Sequence, residues 1–117
     1  MKYITIDGDD IGRLITSSYL NDSEEQLIDI SHNLNLSVKN IANLLEERGF
    51  QILFCAADGV LAKTEYNIDF IELFDCIQNA NVTNFTFSAG VASSLKDAYV
   101  ALLDAKCNGK NKIRIYG

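Results

Sequence analysis

Three carboxylates stand within four residues at Asp7-Gly8-Asp9-Asp10, followed by Ile11-Gly12. The preceding residues 2–7, Lys-Tyr-Ile-Thr-Ile-Asp, alternate as a short strand does, and a helix can begin just beyond them. Such a cluster is costly through mutual repulsion unless a cation neutralises it, and a divalent metal is the simplest one. A second acidic turn, Ala56-Ala57-Asp58-Gly59, lies between two apolar runs. Two acidic turns from separate parts of one small sheet point to metal-dependent chemistry on phosphates. Taken singly, Asp9 and Asp10 would also suit a helix N-terminus, and Asp58 an Asp-Gly hairpin. An EF-hand loop does not fit, because its fifth and twelfth positions fall on Ile11 and Ser18.

The elements that must position these carboxylates follow from hydrophobic period. After the first strand, a helix spans about residues 11–20, and Asn21-Asp22-Ser23 supplies a turn and an N-cap. Leu27, Ile30, Leu34, Val38, Ile41 and Leu45 then recur every three or four residues, which predicts one long helix over about 24–48 stopped by Gly49. Gln51 to Ala56 reads as a strand, and Val60 to Lys63 as its hairpin return through Asp58-Gly59. Asp69 to Ala80 is helical, with Phe70, Phe74 and Ile77 on one side. Phe85, Phe87, Ala89 and Val91 face inward from a strand whose outward residues are Thr86, Ser88 and Gly90. Ser93 or Ser94 caps a helix carrying Leu95, Tyr99 and Leu102, and residues 112–115 form a last strand.

The order β-α-α-β-β-α-β-α-β predicts a ferredoxin-like α+β fold: an antiparallel sheet with helices on one face and the other face open. By parity Asp7 shares the open face with Thr5, Thr86, Ser88 and Gly90, and the hairpin can bring Asp58 to the end of the first strand.

Composition sets the limits. A chain of 117 residues with 48 % apolar content can bury a proper core, and no linker or repeat divides it, so residues 1–117 are expected to form one domain. The net charge of −6 argues against direct nucleic-acid binding, which needs a basic surface. No apolar run reaches membrane-spanning length and no signal peptide is visible, so no membrane partner is expected and cytoplasmic location is the default. Cys55, Cys76 and Cys107 lack the spacing of a metal or disulfide motif; Cys55 and Cys76 are expected to be small core residues.

Three ordered blocks carry a family resemblance. Asp7-Gly8-Asp9-Asp10-Ile11-Gly12 resembles the first metal motif of palm-type nucleotide polymerases and cyclases. Ala56-Ala57-Asp58-Gly59 stands where those families carry Gly-Gly-Asp-Asp or Gly-Gly-Asp/Glu-Glu. Phe87-Ser88-Ala89-Gly90-Val91-Ala92, followed by Asp104-Ala105-Lys106-Cys107-Asn108-Gly109-Lys110-Asn111, is similar to the closing strand and Ala-Lys-x-x-Gly-Arg-Asn block of GGDEF domains. The set most resembles the minimal CRISPR polymerase (mCpol) family, related to the type III CRISPR large-subunit palm and to GGDEF diguanylate cyclases.

The resemblance implies a palm domain with Mg²⁺ or Mn²⁺ held by Asp7 and Asp58 and by the carbonyl of Gly8. It implies nucleotide contacts at Asp9, Asp10, Ile11, Gly12 and Arg13, where helix-start amides cradle a triphosphate. Lys106 and Lys110 would neutralise phosphates, Lys106 as a catalytic partner of the leaving group. ATP is the implied substrate, with GTP the alternative. The implied product is a cyclic di- or oligo-adenylate such as 2′,3′-cyclic di-AMP, made across a homodimer and read by a separate effector in anti-phage signalling. Gly59 departs from the pattern, since an acid is expected there, and both motif glycines are alanines, which restricts close backbone approach. These departures keep a nucleotide-binding relative without catalysis in view. Other palm-type enzymes, a mononucleotide cyclase or an archaeal-type GTP cyclohydrolase, also remain. A phosphoacceptor receiver domain would use an acidic pair, Asp58, Ser88 and a late lysine, but needs alternating β-α units that residues 24–48 do not show.

Overall fold

The computed structural model describes residues 1–117. Its elements run β1 (Lys2–Gly8), α1 (Ile11–Leu20), α2 (Glu24–Glu47), β2 (Gln51–Ala56), β3 (Gly59–Thr64), α3 (Phe70–Ala80), β4 (Phe87–Ala92), α4 (Leu95–Cys107) and β5 (Ile113–Ile115). Helix starts follow local chemistry. Ser23 accepts from the Gln26 amide at 3.1 Å, Asp69 from the Ile71 and Glu72 amides at 3.2 Å, and Ser94 from the Asp97 amide at 3.1 Å. No helix is long and apolar enough to cross a membrane.

The five strands form one sheet in the order β2-β3-β1-β4-β5, with β1 central. It pairs antiparallel with β3 (Asp7 opposite Gly59) and with β4 (Asp7 opposite Ser88). The α+β, palm-type fold is therefore found, and an antiparallel centre excludes the receiver reading, which needs a parallel sheet. Two details correct the sequence-based expectation. The edge strand β5 pairs parallel to β4, through Ala89–Ile113, Gly90–Arg114 and Val91–Ile115, so the sheet is mixed. And α4 lies on the face expected to be open.

The two faces bury different chemistry. On one, Ile4, Ile6, Val60, Ala62, Ala89 and Val91 meet Ile41 and Leu45 of α2 and Leu73 and Ile77 of α3, forming the main core. On the other, Gly90 lets α4 sit directly on the strand. A Cβ at Gly90 would stand 2.3 Å from the Ala98 carbonyl oxygen and 2.3 Å from the Leu102 amide nitrogen. The buried stripe of α4 is accordingly Ala98, Ala101, Leu102 and Ala105, while Leu95 and Tyr99 are exposed. Small residues win this face because the contact is backbone on backbone. Helix α4 covers β4 and leaves the β1–β3–β2 part of the face open.

The cysteines also differ from expectation. Cys55 is exposed on the edge strand β2, and Cys76 is half-buried between Arg48 and Glu72.

Gly90→Ala should force α4 off the sheet and cost about 3 kcal/mol of stability, the upper range for overpacking. Urea denaturation would read this as a lowered midpoint; an unchanged midpoint would show that α4 does not need this close approach.

Candidate active site

The acidic turn is built where β1 ends. Gly8 brings the chain over the Ile11 side chain, whose Cγ1 would lie 2.8 Å from a Cβ at that position. The Gly8 amide donates to the Asp58 carbonyl at 2.9 Å, which fastens the β2–β3 hairpin to the end of β1. The hairpin itself turns through Ala57, at φ 51°, with Ala56 paired to Gly59. The left-handed position thus falls on an alanine, at a strain of about 1–2 kcal/mol, and not on the glycine that sequence suggested. Gly59 lies inside β3, where a Cβ would stand 3.0 Å from the Ile6 carbonyl and 3.3 Å from Asp7 Oδ1. An acid at residue 59 would press on the very carboxylate it is meant to assist, which gives a physical reason for glycine there.

The three aspartates of the first turn have separate surroundings. Asp9 is 2 % exposed and fully engaged. It accepts from Thr86 Oγ1 at 2.6 Å, Ser88 Oγ at 2.8 Å, the Asn111 amide at 3.0 Å and Lys106 Nζ at 3.0 Å. Burial alone would push its carboxyl up. The hydrogen bonds from Thr86, Asn111, Lys106 and Ser88 outweigh burial and hold it below the usual carboxylate range. Asp9 is therefore a buried anchor, with its carboxylate engaged by the protein where a nucleotide contact was expected. Asp10 adopts the left-handed region at φ 62° and caps α1 without a side-chain hydrogen bond to the helix. Its carboxylate pairs instead with Lys110 and, at 3.5 Å, with Arg13.

Asp7 faces the open part of the sheet. Burial pushes its carboxyl above the usual range, against the hydrogen bond and charge of Lys106, while Asp58 and Asp9 add repulsion. Lys106 Nζ lies 3.1 Å from Asp7 Oδ2, 3.0 Å from the Gly8 carbonyl and 3.0 Å from Asp9 Oδ1. Burial would lower the Lys106 pKa, but its bonds to Asp9 and Asp7 raise it. The ammonium thus ties all three residues of the turn together, where the expectation had it facing phosphates. Asp58 makes no side-chain hydrogen bond or ion pair, and no cluster of three His, Cys, Asp or Glu side chains suited to a metal is present. The donor set at this corner is two carboxylates, Asp7 and Asp58, plus the Gly8 carbonyl. It is all oxygen, and Asp58 has no cationic partner in the protein, so the residues fit a hard divalent cation.

The minimal CRISPR polymerase domain, mCpol, matches residues 3–116. The chain belongs to the mCpol family. No curated protein sequence matches it. Among solved structures it is similar to the active GGEEF domain of a diguanylate cyclase from Vibrio cholerae, at 19 % identity and TM-score 0.67, covering 99 % of this chain and 82 % of that one. It is similar also to the GGDEF domain of YfiN from Pseudomonas aeruginosa, at 14 % identity and TM-score 0.68, covering 99 % and 81 %. The GGDEF domain of DgcB from Caulobacter crescentus, solved in complex with c-di-GMP, matches at 11 % identity and TM-score 0.64, covering 97 % and 76 %. At these identities the likeness is one of fold. Family and fold together suggest a nucleotidyl-cyclase type of activity.

Of the site residues expected from sequence, this mCpol chain brings Asp7, Gly8, Asp58 and Lys106 together. Ile11, Gly12 and Arg13 form the first turn of α1 beside them, with the Ile11 side chain buried and the Arg13 side chain 79 % exposed. Sequence reasoning missed the support that Thr86, Ser88 and Asn111 give Asp9. The available signal was the pair of hydroxyls alternating at 86 and 88 on the Asp7 face. It also missed a cavity of about 320 Å³ between α1, α2 and the segment before β4, lined by Leu14, Asp29, Ile30, Asn33, Thr83 and Phe85 among others.

Asp9→Asn should cost about 2 kcal/mol, because it weakens the charge-assisted hydrogen bonds from Thr86, Ser88 and Asn111, while Asp7 keeps the Lys106 ammonium paired. With a folded-state pKa below the ordinary 3.8, the Asp9 carboxylate contributes stability above about pH 4 and loses it as pH falls through the folded value. In thermal melts of both proteins the gap should therefore narrow as pH falls from 7 to 3; a gap independent of pH would rule this account out.

Proposed function

We propose that this chain is a metal-dependent nucleotidyltransferase that converts ATP into a cyclic di- or oligo-adenylate with release of pyrophosphate. The observation that carries the reading is the meeting of Asp7, Asp58 and the Gly8 carbonyl beside a helix start whose amides have no side-chain cap. Residues 1–117 act as one palm-type domain in this reading.

Each residue has a task. Asp7, Asp58 and the Gly8 carbonyl would hold Mg²⁺ or Mn²⁺, which supplies charge neutralisation on the transferring phosphoryl group. The Ile11, Gly12 and Arg13 amides at the start of α1 bind phosphate oxygens, assisted by the helix dipole. Gly12 supports this. Glycine in a helix costs about 1 kcal/mol relative to alanine, and outside its own turn of helix nothing in the protein lies within 4 Å of where its Cβ would stand. The position is open to solvent, so a ligand can approach the helix start closely. Arg13 and Lys110, both within reach of Asp10, supply positive charge at the same place. Lys106 holds the Asp7 carboxylate in position. The cavity lined by Asp29, Asn33 and Thr83 opens beside Leu14, one turn along α1, and receives the base: its apolar walls Leu14, Ile30 and Phe85 can sandwich a ring while the polar groups read its edge.

In the reaction a ribose hydroxyl oxygen bonds to the α-phosphorus as the bond from that phosphorus to the bridging oxygen breaks. Pyrophosphate leaves, and the hydroxyl proton passes to water. A cyclic adenylate needs one such event per nucleotide, two at the least, and one chain presents a single pair of carboxylates, so ring closure is assigned to a homodimer with facing sites. A cyclic product serves as a diffusible signal for a separate effector in anti-phage defence, in line with the CRISPR polymerase family.

Incubation with each NTP and Mg²⁺ or Mn²⁺, with products read by mass spectrometry, should yield a cyclic adenylate. Asp7→Asn and Asp58→Asn should each lower the rate at least about 100-fold, the scale of losing an electrostatic catalytic group. Retained ATP binding without product would point instead to a non-catalytic relative, the alternative that Gly59 in place of an acid keeps open.

A further inference from the structure

Carboxylates outnumber cations where β1 meets α1. Asp7, Asp9, Asp10 and Asp58 stand against Lys106, Lys110 and Arg13, and each cation is already paired: Lys106 with Asp7 and Asp9, Lys110 and Arg13 with Asp10. An incoming anion finds no free positive side chain here. These cations can hold phosphate only if a carboxylate gives way.

The hydrogen bonds show which one can. Asp9 is buried and held by neutral donors as well as by Lys106. Asp7 and Asp58 belong to the metal corner. Asp10 is tied by its two cations alone. It stands at the N-cap of α1, where an aspartate ordinarily accepts from the helix amides, yet its side chain makes no such bond. The amides are left open, and the carboxylate is turned to the two basic side chains beside them. It is partly exposed, so water can take it up when it lets go.

The cationic side of the pair is fixed without Asp10. Gly109, Lys110 and Asn111 all take left-handed backbone, at φ 108°, 62° and 51°. That region is unfavourable for lysine, and a partly exposed ion pair contributes little towards it. The turn is held by other bonds. The Lys110 amide donates to the Ala105 carbonyl at 3.0 Å, the Asn111 amide to Asp9 at 3.0 Å, and Gln78 Nε2 to Asn111 Oδ1 at 3.0 Å. Lys110 thus extends from an anchored backbone, while the Asp10 side chain is free to turn away.

We infer that Asp10 is an internal competitor for polyphosphate: its carboxylate occupies Lys110 and Arg13 in the empty site, yields them to the triphosphate of the bound nucleotide, and reclaims them as pyrophosphate leaves. The inference rests on the nucleotidyltransferase reading and deepens it. Asp10 directly precedes the amides assigned to phosphate, so its charge and that of the ligand cannot rest on the same cations without repulsion. A nucleoside triphosphate brings base, ribose and metal contacts that offset the loss of one ion pair. Pyrophosphate severed from the nucleoside has lost the first two of these, and the carboxylate then competes with it on better terms. Asp10 thus weakens binding of the polyphosphate and hastens its release.

The test is isothermal titration calorimetry of the whole chain with α,β-methylene-ATP and with inorganic pyrophosphate, each with Mg²⁺. Asp10→Asn keeps the side-chain shape and suits left-handed backbone, and thermal melts confirm that it folds. It should bind both ligands about fivefold more tightly than the wild type, the scale of releasing partly exposed ion pairs. In a Lys110→Gln background the same substitution should change α,β-methylene-ATP binding by less than about twofold, because the contested cation is gone. Equal or weaker binding by Asp10→Asn overturns the inference, makes the aspartate a support for the cations, and leaves the proposed function standing. A fivefold gain that persists without Lys110 also overturns it, as repulsion at a distance in place of competition. No α,β-methylene-ATP bound by either the wild type or Asp10→Asn sinks the proposed function itself.

Discussion

The buried carboxylate of Asp9 is the interaction on which the rest of the site depends. A carboxylate taken out of water is costly unless its lone pairs are filled, and here four donors fill them. Those donors come from β4 and the residue before it, from α4 and from the loop before β5. One charge therefore fixes the end of β1 against three other elements. The same Lys106 that neutralises Asp9 also holds Asp7 and the Gly8 carbonyl, so the anchor and the open carboxylate corner share a single ammonium. Adjacent carboxylates thus divide their work: Asp9 is spent on structure, Asp10 on the Lys110 and Arg13 pair, and Asp7 is left facing the open part of the sheet.

The position of α4 follows from an equally simple constraint. Gly90 removes the one side chain that would separate helix from strand, and Ala98, Ala101 and Ala105 complete the fit. This sets the depth at which Lys106 meets the turn. It also divides the sheet face into a dry part over β4 and an open part over β3 and β2. The open part is the only side from which Asp7 and Asp58 can be approached together along the sheet.

Much of this was legible in the sequence. Strand alternation at Ile4 and Ile6, the stripe from Leu34 to Leu45 and the caps at Ser23, Asp69 and Ser94 all reflect local rules, and local rules survive folding. The meeting of Asp7 with Asp58 was legible through strand parity and a hairpin. What was not legible depends on contacts between distant residues. The buried side of α4 was misjudged because size was taken as the mark of burial at Leu95 and Tyr99, while the glycine opposite selects alanines. The parallel pairing of β5 depends on the path of the preceding loop. Cys55 was placed in the core because an apolar run does not reveal that its strand lies at an edge. Asp9 could not be distinguished from Asp7 by parity, since both share one face.

The hydrogen bonds to Asp9 bridge sequence separations of 77, 79, 97 and 102 residues. Contacts of that span form late, because the closure of long loops must precede any gain from them. A folding chain can complete α2, α3 and the β2–β3 hairpin by local steps and still hold an unpartnered aspartate where the turn should be. The meeting of these carboxylates is thus delayed until nearly the whole chain is in place, and a half-formed molecule holds them scattered.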